Sequence, residues 1–195
     1  MGNRLKIVFA TGNLHKLQEI NAVANASDIE FILPPEGFNP DETGNTFEEN
    51  SYIKAKAAAV LSKNIALADD SGLCVEALGG APGIHSARYA PTVQERIDKL
   101  LENLAPFGNR NAKFVCAMTL VDRFGNILDR EIGECTGQIA KQCSGFNGFG
   151  YDPVFLPDGC GGLTMADMPE ELKNRISHRS AALNKIIAYI RTNLV

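Results

Sequence analysis

No stretch of this chain approaches the roughly 18 consecutive apolar residues that a membrane-spanning helix requires. The apolar run Leu5-Lys6-Ile7-Val8-Phe9-Ala10 is cut short by Thr11-Gly12-Asn13, so it reads as a strand and not as a secretory leader. A cytoplasmic protein with no membrane partner is therefore expected. Basic residues are not in excess either: 19 Lys and Arg stand against 23 Asp and Glu, for a net charge of -4. A broad basic surface for nucleic acid is excluded, whereas a local basic pocket for a small anion is not. The five cysteines, Cys74, Cys116, Cys135, Cys143 and Cys160, include no CxxC pair. Their odd number and scattered placement predict reduced, mostly buried thiols, and their spacing gives a zinc site no support. Internal repeats and low-complexity tracts are also missing. What remains is a 195-residue chain, 45% hydrophobic and 22% charged, which suits one domain or one two-lobed domain.

Hydrophobic patterning predicts strands at 5–10, 29–33, 64–69, 113–121 and 127–140. Helices are predicted from about Lys16 to Ala24, with Leu17, Ile20 and Ala24 on one face, and from Thr46 to about Ser62. The second opens on Thr46-Phe47-Glu48-Glu49, the pattern of a capping box. Further helices are expected at 92–104, with Ile97, Leu100, Leu101 and Leu104 as its stripe, at 169–176 and at 179–193. The near-continuous apolar run 113–121 belongs inside a sheet. Strand–loop–helix units together with a hairpin through Phe124-Gly125-Asn126 predict a three-layer α/β fold with a mixed sheet.

Five segments could carry chemistry, and each also has a plain structural explanation. Thr11-Gly12-Asn13-Leu14-His15-Lys16 joins a strand to a helix start, where free N–H groups receive phosphate. Lys16 in a first helical turn opposes the dipole, which makes sense if an anion binds there; an ordinary βα turn is the alternative. Ala68-Asp69-Asp70-Ser71-Gly72 puts two acids at the expected end of a strand, where α/β proteins place ligands and where oxygen donors suit Mg²⁺. Alternation along the strand lets only one of the two face a given side. The acidic loop Asp41-Glu42-Thr43-Gly44 precedes the helix that carries Lys54, and capping alone explains acids there. Gly145-Phe146-Asn147-Gly148-Phe149-Gly150-Tyr151-Asp152-Pro153 exposes ring faces on which a base could stack, or forms a turn with core aromatics. Ile176-Ser177-His178-Arg179, with Lys173 one turn earlier, gathers donors for a keto oxygen or a phosphate.

Taken in order, Thr-Gly-Asn…Lys, Glu-Thr-Gly…Thr-Phe-Glu-Glu-Asn, Ala-Asp-Asp-Ser-Gly-Leu, Gly-Ala-Pro-Gly-Ile…Ser-Ala-Arg-Tyr, Gly-Phe-Gly-Tyr-Asp-Pro and Ile-Ser-His-Arg, these segments resemble the inosine triphosphate pyrophosphatase family. The likeness spans residues 5–191. It implies a single two-lobed α/β domain over residues 1–195, built around a long curved mixed sheet, with the active site in the cleft between the lobes. It also implies a homodimer and a Mg²⁺-dependent hydrolysis of ITP, dITP and XTP to the monophosphate and pyrophosphate. Carried over by motif, Thr11, Gly12, Asn13, Leu14, His15, Lys16 and Lys54 would grip the phosphates. Glu42 and Asp70 would hold Mg²⁺, with Asp70 also accepting the proton of the attacking water, and Ser71 would touch substrate. Phe149, Gly150, Tyr151, Asp152, Lys173, His178 and Arg179 would form the base pocket. Two departures stand out: Leu14-His15 replaces smaller residues in the first loop, and Ser180 replaces the glycine that often follows His-Arg.

Overall fold

The computed structural model describes residues 4–24 and 29–195, the side chain of His15 apart. Its elements run β1 (Leu5–Phe9), α1 (Leu14–Ala24), β2 (Ile29–Ile32), α2 (Phe47–Ser62), β3 (Ala66–Val75), α3 (Val93–Leu104), β4 (Asn111–Val121), β5 (Ile127–Ile139), β6 (Phe155–Pro157), α4 (Glu170–Ile176) and α5 (His178–Asn193). Short 3-10 turns occupy Glu76–Leu78, Gly83–Arg88 and Asp152–Val154. The six strands form one sheet in the order β2-β1-β3-β4-β5-β6. β1 pairs in parallel with β2 and β3, whereas β5 and β6 are antiparallel, so the sheet is mixed as expected. No helix among the described residues is long and apolar enough to cross a membrane.

The chain divides into two compact units. The first comprises Met1–Asp70, Cys116–Gly133 and Arg179–Val195. Period-two alternation sorts its strand side chains into two cores. Ile7 and Phe9 of β1, Leu67 of β3, and Cys116, Met118 and Leu120 of β4 pack with Ile20 and Ala24 of α1 and with Ala182, Leu183, Ile186, Ile187 and Ile190 of α5. Val8, Ala10, Ala66, Ala68 and Val121 point the other way, onto Ala55, Ala58 and Ala59 of α2. This unit therefore has three layers: α1 and α5, the sheet, and α2. The second layer interface is built almost wholly from alanine, which lets α2 lie close to the strands. Polar side chains on its inner face consequently reach the sheet.

The second unit comprises Ser71–Val115 and Glu134–His178. Its core joins Leu73 and Val75 of β3, Ile97, Leu100 and Leu104 of α3, Ala112 and Phe114 of β4, Cys135 and Ile139 of β5, and Tyr151, Val154, Phe155 and Met165. Leu101 sits at its half-buried margin.

Three expectations change. The strand predicted at 64–69 runs on to Val75, so Asp69 and Asp70 lie in the middle of β3 and not at its end. Apolar patterning could not show this, because polar residues interrupt the run while the backbone ladder continues. The capping box predicted at Thr46 is only half formed: Thr46 Oγ1 accepts from Glu49 N at 3.1 Å, but the Glu49 carboxylate accepts from Asn45 N at 2.6 Å. The complete box stands at Thr92 and Glu95, opening α3. Finally, only Cys116 and Cys135 are buried; Cys74 and Cys160 are half-buried and Cys143 is exposed, all five being free thiols.

Candidate active site

Asp69 and Asp70 are adjacent on β3, so their side chains leave opposite faces of the sheet. Each meets its own set of partners, and both sets lie within the first unit. Asp70 points to the α2 side. Its Oδ1 accepts from Lys54 Nζ at 3.1 Å and its Oδ2 accepts from Asn50 Nδ2 at 3.2 Å. Asn50 and Lys54 are one helical turn apart on the inner face of α2. Lys54 Nζ also pairs with Glu42 Oε1 at 2.9 Å, so one ammonium stands between two carboxylates. Asp41, next to Glu42, is exposed, which leaves Glu42 as the acid that faces this cluster. Burial pushes the Asp70 carboxyl above its ordinary value and Glu42 adds to the rise, against the pull of Lys54 and Asn50. Burial alone would depress Lys54, but Asp69, Asp70 and Glu42 together hold it above its ordinary value.

Asp69 points to the α1 and α5 side. Lys16 Nζ donates to its two oxygens at 3.1 and 3.0 Å, while Arg179 Nε and Nη2 donate to Oδ2 at 3.3 and 3.1 Å. Arg179 Nη1 reaches Glu19 Oε2 at 2.6 Å. Burial works to raise Asp69, yet Lys16, Arg179 and Lys54 hold its carboxyl far below the usual range. Both cations thus have partners within this network. Lys16 has a carboxylate partner, so its place in the first turn of α1 is favourable without any bound anion. Arg179, which the resemblance assigns to the base pocket, is 2% exposed and is engaged by two carboxylates of the first unit. Asp69 and Glu19 were given no role by motif, although a second acid beside Asp70 was the signal available.

The first loop has the form of a helix start. Asn13 Oδ1 accepts from Lys16 N at 3.4 Å, and Asn13 N donates to Thr11 Oγ1 at 3.0 Å. A Cβ on Gly12 would meet nothing within 4 Å, so packing within the protein does not demand glycine there. Leu14 is exposed, and the side chain of His15 lies outside the described residues.

The remaining predicted residues gather in the second unit. Lys173 Nζ donates to Asp152 Oδ2 at 2.7 Å and stands 4.5 Å from the centroid of the half-exposed Phe149 ring. Phe149 N donates to the same Asp152 oxygen at 2.7 Å. His178 stacks on Phe114, centroids 4.9 Å apart and planes 12° from parallel. Gly148 sits at φ +79°, and a Cβ there would run into the Asp152 carboxylate. Gly150, at φ +62°, is likewise a left-handed position. Tyr151 is a core residue, as the structural alternative for this segment has it, and its hydroxyl donates to Ser86 O at 3.0 Å. Ser86 in turn accepts from Leu73 N at 2.9 Å and donates to Gly83 O at 2.6 Å. The Gly-Ala-Pro-Gly-Ile…Ser motif thus fastens β3 three residues beyond Asp70. Ser71 follows Asp70 on the strand and is half-buried.

Glu42 and Asp70 offer hard oxygens to one shared cation, Lys54, which is the electrostatic arrangement a divalent ion also needs. Among the described residues no three or more His, Cys, Asp or Glu group into a set that could hold a metal ion, so the protein's offer here is this pair. Mg²⁺ is commonly held by one or two carboxylates, the rest of its shell being water and phosphate, so the pair fits.

Residues 7–189 of this α/β chain match the model of the Ham1 family, to which the chain belongs. The chain is 44% identical over 189 residues to a dITP/XTP pyrophosphatase of Prochlorococcus marinus (strain NATL1A), covering 97% of this chain and 95% of that one. It is 43% identical to a dITP/XTP pyrophosphatase of Treponema denticola, covering 96% and 99%. Among solved structures it is similar to a HAM1 protein from Coxiella burnetii, with a TM-score of 0.88 and 39% identity over 96% of this chain and 99% of that one. The Staphylococcus aureus Ham1 protein gives a TM-score of 0.86 and 38% identity over 96% and 98%.

Proposed function

We propose that this protein hydrolyses non-standard purine nucleoside triphosphates, ITP, dITP and XTP, to the monophosphate and pyrophosphate, removing deaminated purines from the nucleotide pool. The observation that carries the reading is the Asp70 cluster: a buried carboxylate that shares the Lys54 ammonium with Glu42. Asp70 takes the proton of the water that attacks the α-phosphorus. A phosphorus–oxygen bond to that water forms, the bond to the bridging oxygen breaks, and pyrophosphate leaves. Lys16, the N–H groups of the Thr11–Asn13 loop, and Lys54 hold the phosphates. Glu42 and Asp70 would hold Mg²⁺, which would supply the positive charge that a triphosphate requires beside two carboxylates.

Selectivity rests on the second unit. Phe149 offers a ring face for the base, while Lys173, braced on Asp152, and His178 offer donors to a 6-keto oxygen. Adenine presents a 6-amino group, which cannot accept those bonds, and leaving donors unpaired is costly. Arg179 belongs in this reading as the anchor that holds Asp69, and with it Lys16, beside the phosphate loop. The resemblance further supports a homodimer working in the cytoplasm, with neither nucleic acid nor membrane as partner.

Product analysis with ITP, with and without Mg²⁺, tests the proposal. Pyrophosphate and IMP are expected; inorganic phosphate and IDP, or turnover undiminished in a chelator, would overturn it. A substrate panel that includes modified pyrimidine triphosphates checks the base class.

A further inference from the structure

We infer that Asn50 is a positioning residue that locks the Glu42 loop and Asp70 into one assembly; the inference rests on the reading of Asp70 as proton acceptor. Asn50 is fully buried on the inner face of α2. Its Oδ1 accepts from Gly44 N at 2.8 Å and its Nδ2 donates to Asp70 Oδ2 at 3.2 Å. The orientation of the amide is dictated, because a backbone N–H can only donate and so must face the oxygen. The nitrogen is then the atom turned to Asp70. One neutral side chain thus ties the backbone two residues beyond Glu42 to the carboxylate on β3.

The tie is built closely. A Cβ on Gly44 would approach Asn50 Oδ1 and Glu49 Cβ to 2.7 Å, so the loop needs glycine to reach this amide. Asp70 receives Lys54 on Oδ1 and Asn50 on Oδ2. Rotation of the carboxylate about its Cβ–Cγ bond would break both bonds at once, so its lone pairs keep a fixed direction. Lysine alone could not do this, since a single ammonium leaves the carboxylate free to turn. The neutral amide directs the carboxylate without adding charge. Asn50 touches no reacting atom in this account and acts through Asp70 and the loop.

Asn50→Asp separates the two bonds. One carboxylate oxygen can still accept from Gly44 N, which preserves the loop, but the other turns an acceptor toward Asp70. Pyrophosphate release from ITP, thermal unfolding and crystal structures of wild type and variant form the test. The expected result is a folded variant whose kcat falls about 10- to 100-fold, with KM changed by less than about 3-fold and the Asp70 carboxylate turned by more than about 30°. A folded variant with kcat within about 2-fold of wild type, a loss confined to KM, or an unmoved Asp70 would overturn the inference. If Asn50→Asp does not fold, Asn50→Ala decides by the same criteria. Failure of the underlying reading looks different: wild type would release no pyrophosphate from ITP, while the pair of crystal structures would still report whether Asp70 depends on Asn50.

Discussion

Replacing Asp69 by asparagine keeps the size of the side chain and removes its charge from the most enclosed ionic network in the molecule. Asp69 is 1% exposed and takes four donor contacts from Lys16 and Arg179. Arg179 retains Glu19 in the variant, whereas Lys16 loses its carboxylate partner. Removing one member of a buried ion pair typically costs about 3–5 kcal/mol, because the other charge remains desolvated. For a chain of this length each kcal/mol lowers the melting temperature by about 2–4 °C, so a fall of roughly 6–20 °C is expected. Urea unfolding should show a lower midpoint at unchanged slope. The pH dependence has a fixed sign. Asp69 in the folded protein is held below the ordinary aspartate value of 3.8, so its stabilisation is fully present above that value. It is lost as pH falls below 3.8 toward the depressed folded value. The gap between wild type and Asp69→Asn should therefore be constant at neutral pH and narrow below about pH 4. A gap smaller than about 1 kcal/mol at neutral pH, or one that is the same at pH 3 and pH 7, would refute the reasoning.

Asp70→Asn should lower kcat for ITP by about 10²- to 10⁴-fold with the fold intact, read as pyrophosphate release at saturating Mg²⁺; near-normal turnover would remove Asp70 from the mechanism. Gly148→Ala combines a left-handed φ with a Cβ driven into the Asp152 carboxylate, so it should displace Lys173. The ratio of kcat/KM for ITP over ATP should then drop about 10-fold or more, and equal losses on both substrates would assign the loop to folding alone. Thiol labelling of the native protein should modify the exposed Cys143 first and leave Cys135 untouched, its thiol buried and pushed up to about 11. Mass spectrometry of the labelled peptides reports the order.

The parts of this molecule that follow a simple period were legible in the sequence. Ile20 and Ala24 fill one face of α1, and Ile97, Leu100 and Leu104 fill one stripe of α3, as their spacing required. Where two signals competed, the reading slipped. Asp69 and Asp70 looked like a strand terminus because charge usually stops burial; here Lys16, Arg179, Lys54 and Asn50 supply the partners that let β3 continue. Those partners come from α1, α2 and α5, up to 110 residues away in the chain, and no local pattern announces them. Thr46 and Thr92 show the same limit at short range. Both have glutamate three residues on, yet only Thr92 closes the full box, since Glu49 finds Asn45 N instead. Motif order brought Glu42, Asp70, Lys54, Asp152 and Lys173 to notice. It could not tell that Tyr151 belongs to the core, or that Asn50 stands between Glu42's loop and Asp70, because an asparagine inside a helix carries no spacing signal of its own.

The adjacency of Asp69 and Asp70 on one strand gives β3 a parity. An even-numbered shift of its register would move both acids along the sheet but leave each on its own face. A one-residue slip would turn each to the other's face: in one direction Asp70 would take the place of Asp69 while Ser71 took that of Asp70, and in the other Asp69 would take the place of Asp70 while Ala68 took that of Asp69. Such an error would disable two sites in a single event, and neither could be restored by changing side chains nearby. The register Val8↔Ala66 and Phe9↔Leu67 guards against it, since a slip would also drive Leu67 into the space beside Ala55, Ala58 and Ala59 of α2 that Ala66 and Ala68 now fill. Single-residue insertions or deletions between Ala66 and Asp70 should accordingly be far less tolerated than substitutions at any one position in that stretch.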